Sequence, residues 1–63
     1  MKNLTKISVE NYLRPQFFEL LEHNPLINKV VDVEIKNFRT YFVFKNLNEE
    51  QEDSVEKLKL ELV

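Results

Sequence analysis

The chain contains no cysteine and no glycine, and each absence removes a class of chemistry. Without cysteine there are no disulfides and no thiolate metal sites. Glycine supplies positive-φ turns and lets backbone approach a phosphate closely. Its absence rules out the phosphate-cradling P-loop, the dinucleotide-binding fingerprint and the nucleophile elbow of serine hydrolases. A single histidine, His23, cannot form a multi-histidine metal site within one chain. No apolar run approaches the roughly 20 residues that span a bilayer, and the first residues, MKNLTKISVENY, lack the apolar core of a signal peptide. The expectation is a soluble, cytoplasmic protein without cofactor or metal. The abundance of Lys, Asn, Ile, Glu and Phe fits an AT-rich bacterial or phage genome.

At 63 residues the chain is expected to form one domain, residues 1–63. A domain of about 60 residues buries only roughly 60% of the surface its unfolded chain exposes. With disulfides and thiolate metals excluded, small domains rely on a well-packed core or on oligomerisation. Net charge is −2, but residues 1–45 carry seven Lys or Arg against five Asp or Glu, whereas residues 46–63 carry two lysines against six acids. Such asymmetry marks either an interaction surface or a solvated helix face.

What is present is most specific between Val30 and Lys45, VVDVEIKNFRTYFVFK. Val31, Val33 and Ile35 alternate with Asp32, Glu34 and Lys36. Thr40, Phe42 and Phe44 alternate with Arg39, Tyr41 and Val43. Period-two alternation places each set on one face of a strand. A tight turn at Asn37-Phe38 sets Ile35 opposite Thr40, Val33 opposite Phe42, and Val31 opposite Phe44, six side chains on one face. Asn37 suits a turn because it tolerates left-handed backbone. Phe38 is a poor second turn residue, so a longer or bulged loop would shift this register.

Residues 1–7 read as a tail or a lead-in strand. Ser8 is a candidate helix N-cap. Because proline is welcome only in a first turn, either the main helix begins near Arg14 or, the favoured reading, a helical region runs from about Val9 to His23 with a break or kink at Pro15. Leu13, Phe17, Leu20 and Leu21 share one face of it, and Phe18 falls partly off that stripe. Asn24-Pro25 ends the helix. Asn48 and Gln51 have the spacing of a capping box, and Glu49, Glu50, Glu52 and Asp53 favour a helix N-terminus. Val55, Leu58 and Leu62 are helically spaced. Leu58, Leu60 and Leu62 also alternate as in a strand, but the acidic start favours helix.

The predicted fold is therefore α+β: helix–strand–strand–helix, an antiparallel β-hairpin with both helices on one face. Its expected core is Leu13, Phe17, Leu20, Leu21, Val31, Val33, Ile35, Phe42, Phe44, Val55, Leu58 and Leu62. A lone hairpin is marginal in water and leaves two strand edges bare. A homodimer, with hairpins pairing edge to edge or packing back to back, is the expected completion.

Catalysis finds little support. His23 sits at a helix C-terminus, where it complements the dipole. Glu19 and Glu22 share a helix face, but nothing in the sequence supplies the apolar pocket that tunes a paired carboxylate. The expected function is a small non-enzymatic protein-interaction or regulatory module. The sheet's outer face, with Arg39, Tyr41 and Val43, is the first candidate surface. The acidic helix start, Glu49, Glu50, Glu52 and Asp53, is the second. The alternative is nucleic-acid binding by the hairpin, where Lys29, Lys36, Arg39 and Lys45 flank Phe38 and Tyr41. Asp32 and Glu34 in the same hairpin would repel phosphate.

Overall fold

The computed structural model describes residues 3–62; readings of Met1, Lys2 and Val63 fall outside the described residues. The fold is a small α+β arrangement of three antiparallel strands and two helices. Strand β1 spans Leu4–Glu10, helix α1 Arg14–Glu22, strand β2 Val30–Ile35, strand β3 Arg39–Lys45, and helix α2 Glu49–Leu60. Single 3-10 segments at Asn11–Leu13 and Pro25–Lys29 flank α1.

The first strand corrects the expected order. Ser8 is not a helix cap, and Val9 does not open a helix; both lie in β1. Thr5, Ile7 and Val9 point one way and Lys6, Ser8 and Glu10 the other, the same period-two signal that marks the hairpin. β1 pairs with β3, so the order is β1-β3-β2 and the aromatic-rich strand is central. One of the two hairpin edges expected to be bare is thus filled from within the chain.

The hairpin itself follows the predicted register for two of three pairs. Ile35 faces Thr40 and Val33 faces Phe42. A bulge between Val30 and Asp32 then slips the ladder, so Val30 rather than Val31 faces Phe44. The turn is Asn37-Phe38, closed by the Lys36 amide donating to the Arg39 carbonyl at 2.9 Å. Asn37 does not use left-handed geometry there. The one positive-φ residue among those described is Asn46, at φ 53°, where the chain leaves β3.

Pro15 sits in the first turn of α1, where its missing N–H has no partner to lose. Asn24 stops the helix, and its side chain accepts the Leu26 amide at 2.9 Å. The capping box of α2 is complete: the Gln51 amide donates to Asn48 Oδ1 at 2.8 Å, and the Asn48 amide to Gln51 Oε1 at 3.0 Å. Residues 57–60 continue α2, so the alternation of Leu58, Leu60 and Leu62 does not make a strand.

Both helices cover the face of the sheet that carries Ile7, Val9, Phe42 and Phe44. With Phe17, Leu21, Leu26, Leu47 and Val55 these form the core, and Leu58 and Leu62 pack on it. The Phe17 and Phe42 rings meet edge to face, centroids 4.9 Å apart. Leu13 and Leu20 are only half-buried. The assignment of Val31, Val33 and Ile35 to the core is corrected: all three are exposed. Their alternation is real, but β2 is an edge strand, and α1 and α2 lie over β1 and β3 instead.

A polar corner locks the end of the sheet. Asn11 Nδ2 donates to the carbonyls of Lys36 and Asn37 at 3.0 and 3.1 Å. The fully buried Thr40 hydroxyl donates to Asn11 Oδ1 at 2.8 Å and accepts from Arg14 Nη1 at 3.5 Å. These bonds tie the hairpin tip to the corner between β1 and α1.

Candidate functional site

The register defines the uncovered face of the sheet row by row. Glu10 lies beside Arg39, Ser8 beside Tyr41 and Glu34, Lys6 beside Val43 and Asp32, and Leu4 beside Lys45. Arg39, Tyr41 and Val43 thus do share this face. The Arg39 side chain is not free, however. Arg39 Nε donates to the Ser8 hydroxyl at 3.1 Å and its Nη2 to the Ser8 carbonyl at 3.3 Å. Lys6 and Glu34 form an ion pair at 3.4 Å. Because they stand on β1 and β2, that pair bridges over β3, and Val43 is only 4% exposed although no helix covers it. Polar groups close this face over Val43, while Leu4, 57% exposed, stands open at its end.

The acidic start of α2 is split. Glu52 is half-buried and accepts the Thr5 hydroxyl at 3.0 Å, anchoring α2 to β1. Glu49, Glu50 and Asp53 are exposed. Their charge complements the helix dipole, which accounts for their position without a partner. The basic groups of the hairpin do not form one strip. Lys36 and Arg39 stand at the tip and Lys45 at the far end of β3, with Asp32 and Glu34 between. Phe38, 84% exposed, marks the tip. His23 is exposed at the end of α1. Among the described residues no three His, Asp or Glu side chains come together to hold a metal ion, and no helix is long and apolar enough to cross a membrane.

No protein-family model, curated protein or solved structure matches this chain.

A further unfilled surface lies along β2. In an antiparallel ladder, residues bonded to the neighbour alternate with residues whose backbone turns outward. The Lys36–Arg39 bond fixes the phase: Glu34 and Lys36 face β3, while Val33 and Ile35 turn their amides and carbonyls to the outside. Asp32 Oδ1 occupies the Val33 amide at 2.9 Å. The Val33 carbonyl and both backbone groups of Ile35 face outward. The opposite edge of the sheet is guarded differently, with Arg39 wrapped onto the outward carbonyl of Ser8.

Beside this edge is an apolar groove lined by Arg14, Pro15, Phe18, Val33 and Phe42. It holds about 330 Å³, the bottom of the roughly 300–1,000 Å³ range of small-molecule pockets. Val33 is 38% and Ile35 60% exposed, and Phe18 of the groove is exposed too. Sequence reasoning placed the three β2 residues in the core and so missed this surface. The available signal was Phe18, an aromatic off the buried stripe of its helix.

Proposed function

We propose that this chain is a small non-enzymatic protein-interaction module, of a binding or regulatory kind, that engages another polypeptide along the edge of β2. One observation carries the reading: outward backbone groups of Val33 and Ile35 lie next to exposed apolar side chains, Val33 and Ile35 themselves with Pro15 and Phe18 of the groove. Addition of a strand to such an edge gives affinity through main-chain hydrogen bonds and specificity through alternate side chains in adjoining pockets. A homodimer belongs to the same proposal. Of its two modes, edge-to-edge pairing is favoured over back-to-back packing, because the outer face is occupied by the Lys6–Glu34 pair and the Arg39–Ser8 clamp.

Affinity capture from the source cell tests the surface. The expected result is that Val33→Asp with Ile35→Asp loses the captured protein, while Glu49, Glu50 and Asp53 changed to Lys retain it. Retention by the edge variant and loss by the helix variant would move the function to the acidic helix.

A further inference from the structure

We propose that the occupant of the β2 edge is a second copy of this chain, paired antiparallel about a two-fold axis through Glu34, so that the sheet continues as six strands. This rests on the reading of β2 as the interaction edge, and names both the partner and the register.

The register follows from four constraints. Only residues whose backbone turns outward can bond across the axis, which restricts the hydrogen-bonded positions to Val33, Ile35 and their odd-numbered neighbours. Centring the axis on Val33 would set Asp32 against Glu34 of the second copy twice over, like charges directly opposite. Centring it on Asp32 sets two Asp32 carboxylates together and draws on the bulge at Val31, whose backbone is out of phase with the ladder. Centring it on Ile35 recruits Asn37, a turn residue whose carbonyl already accepts Asn11 Nδ2 at 3.1 Å.

The axis at Glu34 avoids the Asp32–Glu34 repulsion, the bulge at Val31 and the turn residue Asn37, and the one like-charged pair it sets together carries its own counter-ions. Val33 then pairs with Ile35 of the second copy, and Ile35 with its Val33, giving four inter-chain N–H···O bonds. Asp32 faces Lys36 of the second copy in both halves, as non-hydrogen-bonded pairs, where opposing side chains are closest. Lys36 is exposed and its side chain has no polar partner among the described residues. The two Glu34 side chains meet at the axis, each already balanced by its own Lys6 at 3.4 Å. On the other face, Val33 and Ile35 from both copies form one apolar band between the two Phe18 grooves.

The guard on the edge fits this exchange. In the single chain Asp32 holds the Val33 amide at 2.9 Å. On pairing, that amide bonds the Ile35 carbonyl of the second copy, and the released carboxylate turns to Lys36. Asp32 thus acts as a gate that is satisfied in either state, so the edge is closed to strands lacking a cation at the matching position.

Two measurements on the full chain test the register. The chain has no cysteine of its own, so Glu34→Cys introduces the sole thiol. Non-hydrogen-bonded partners hold Cβ atoms about 4.5–5.5 Å apart, near disulfide reach. Under oxidised glutathione this variant is expected to form a cross-linked dimer, while Lys45→Cys at the same concentration stays monomeric. In sedimentation equilibrium, Lys36→Glu is expected to weaken self-association roughly tenfold, and the swap Asp32→Lys with Lys36→Glu to restore it. Equal cross-linking of both cysteine variants, or failure of the swap to restore, overturns the register. A 7.6 kDa species at every concentration overturns self-pairing altogether; loss of a captured protein by the Val33/Ile35 variant would then leave the edge standing as a site for a different protein.

Discussion

At the scale of single residues, burial separates side chains that sequence alternation treats as equals. Phe42 and Phe44 are closed off in the core, whereas Val33 and Ile35 share their face of the sheet and stay exposed. Phe42→Ala should cost about 3–5 kcal/mol, the transfer term plus a cavity against Phe17. Ile35→Ala should cost less than about 1 kcal/mol in dilute solution. Urea denaturation of the two variants makes the comparison; equal losses would put Ile35 back under a helix. Asn46 is the second informative residue. A non-glycine residue in the left-handed region carries roughly 1–2 kcal/mol of strain, which asparagine relieves by local hydrogen bonding. Asn46→Ala is expected to destabilise by about 1 kcal/mol and Asn46→Gly to be neutral or better, read in the same denaturation series. Asparagine was recognisable as a turn residue at both Asn37 and Asn46. Which of them adopts positive φ depends on where β3 must leave the sheet, and no short stretch of sequence carries that information.

At the scale of elements, caps and turns behave as local chemistry predicts. The Asn48–Gln51 capping box, the stop at Asn24-Pro25 and the turn at Asn37-Phe38 are all made by groups within four residues of one another. Asn48→Ala should cost α2 about 1 kcal/mol, visible as lost helical ellipticity and a lower denaturation midpoint. β1 behaves otherwise. Its alternation of Ile7 and Val9 with Lys6, Ser8 and Glu10 is short and competes with a serviceable N-cap at Ser8. Only its pairing with β3, which joins residues as far apart as Leu4 and Lys45, settles the choice. Amide hydrogen exchange should report this order. The β3 amides, Thr40, Phe42 and Phe44 toward β1 and Tyr41 and Val43 toward β2, should be the slowest in the sheet. The Ile35 amide, outward on the edge, should exchange fast unless a second chain covers it. Rapid exchange at Phe42 would contradict a central β3.

At the scale of the whole molecule, the chain measures 31 × 21 × 16 Å with a radius of gyration of 10.9 Å. The shortest dimension is that of one sheet and one layer of helices, and such an arrangement buries only one face of the sheet. The outer face is instead satisfied by the Lys6–Glu34 pair and the Arg39 clamp. An exposed ion pair of this kind contributes about 0–1 kcal/mol, so the face is closed more by geometry than by strong bonding. β2 retains the surface that neither layer covers. If a second chain completes it, the melting temperature should rise with protein concentration, as it does whenever association stabilises only the folded state. Val33→Lys should abolish that dependence while leaving a cooperative melt. A concentration-independent melting temperature in the native chain would count against the homodimer.

Local pattern was enough for the hairpin, its turn, two of its three cross-strand pairs, the stop of α1 and the capped start of α2, because each follows from neighbours along the chain. The partition into faces was also legible, since the period of a strand fixes where side chains point. Whether anything covers a face is a different matter. Val33, Ile35 and Phe42 carry the same alternation, and only the insertion of β1 beside β3 moves the helices over one end of the sheet and leaves β2 uncovered. That insertion is a long-range pairing, whose energy lies in the burial of Ile7 and Val9 against residues far along the chain, and so it has no signature in either segment taken alone.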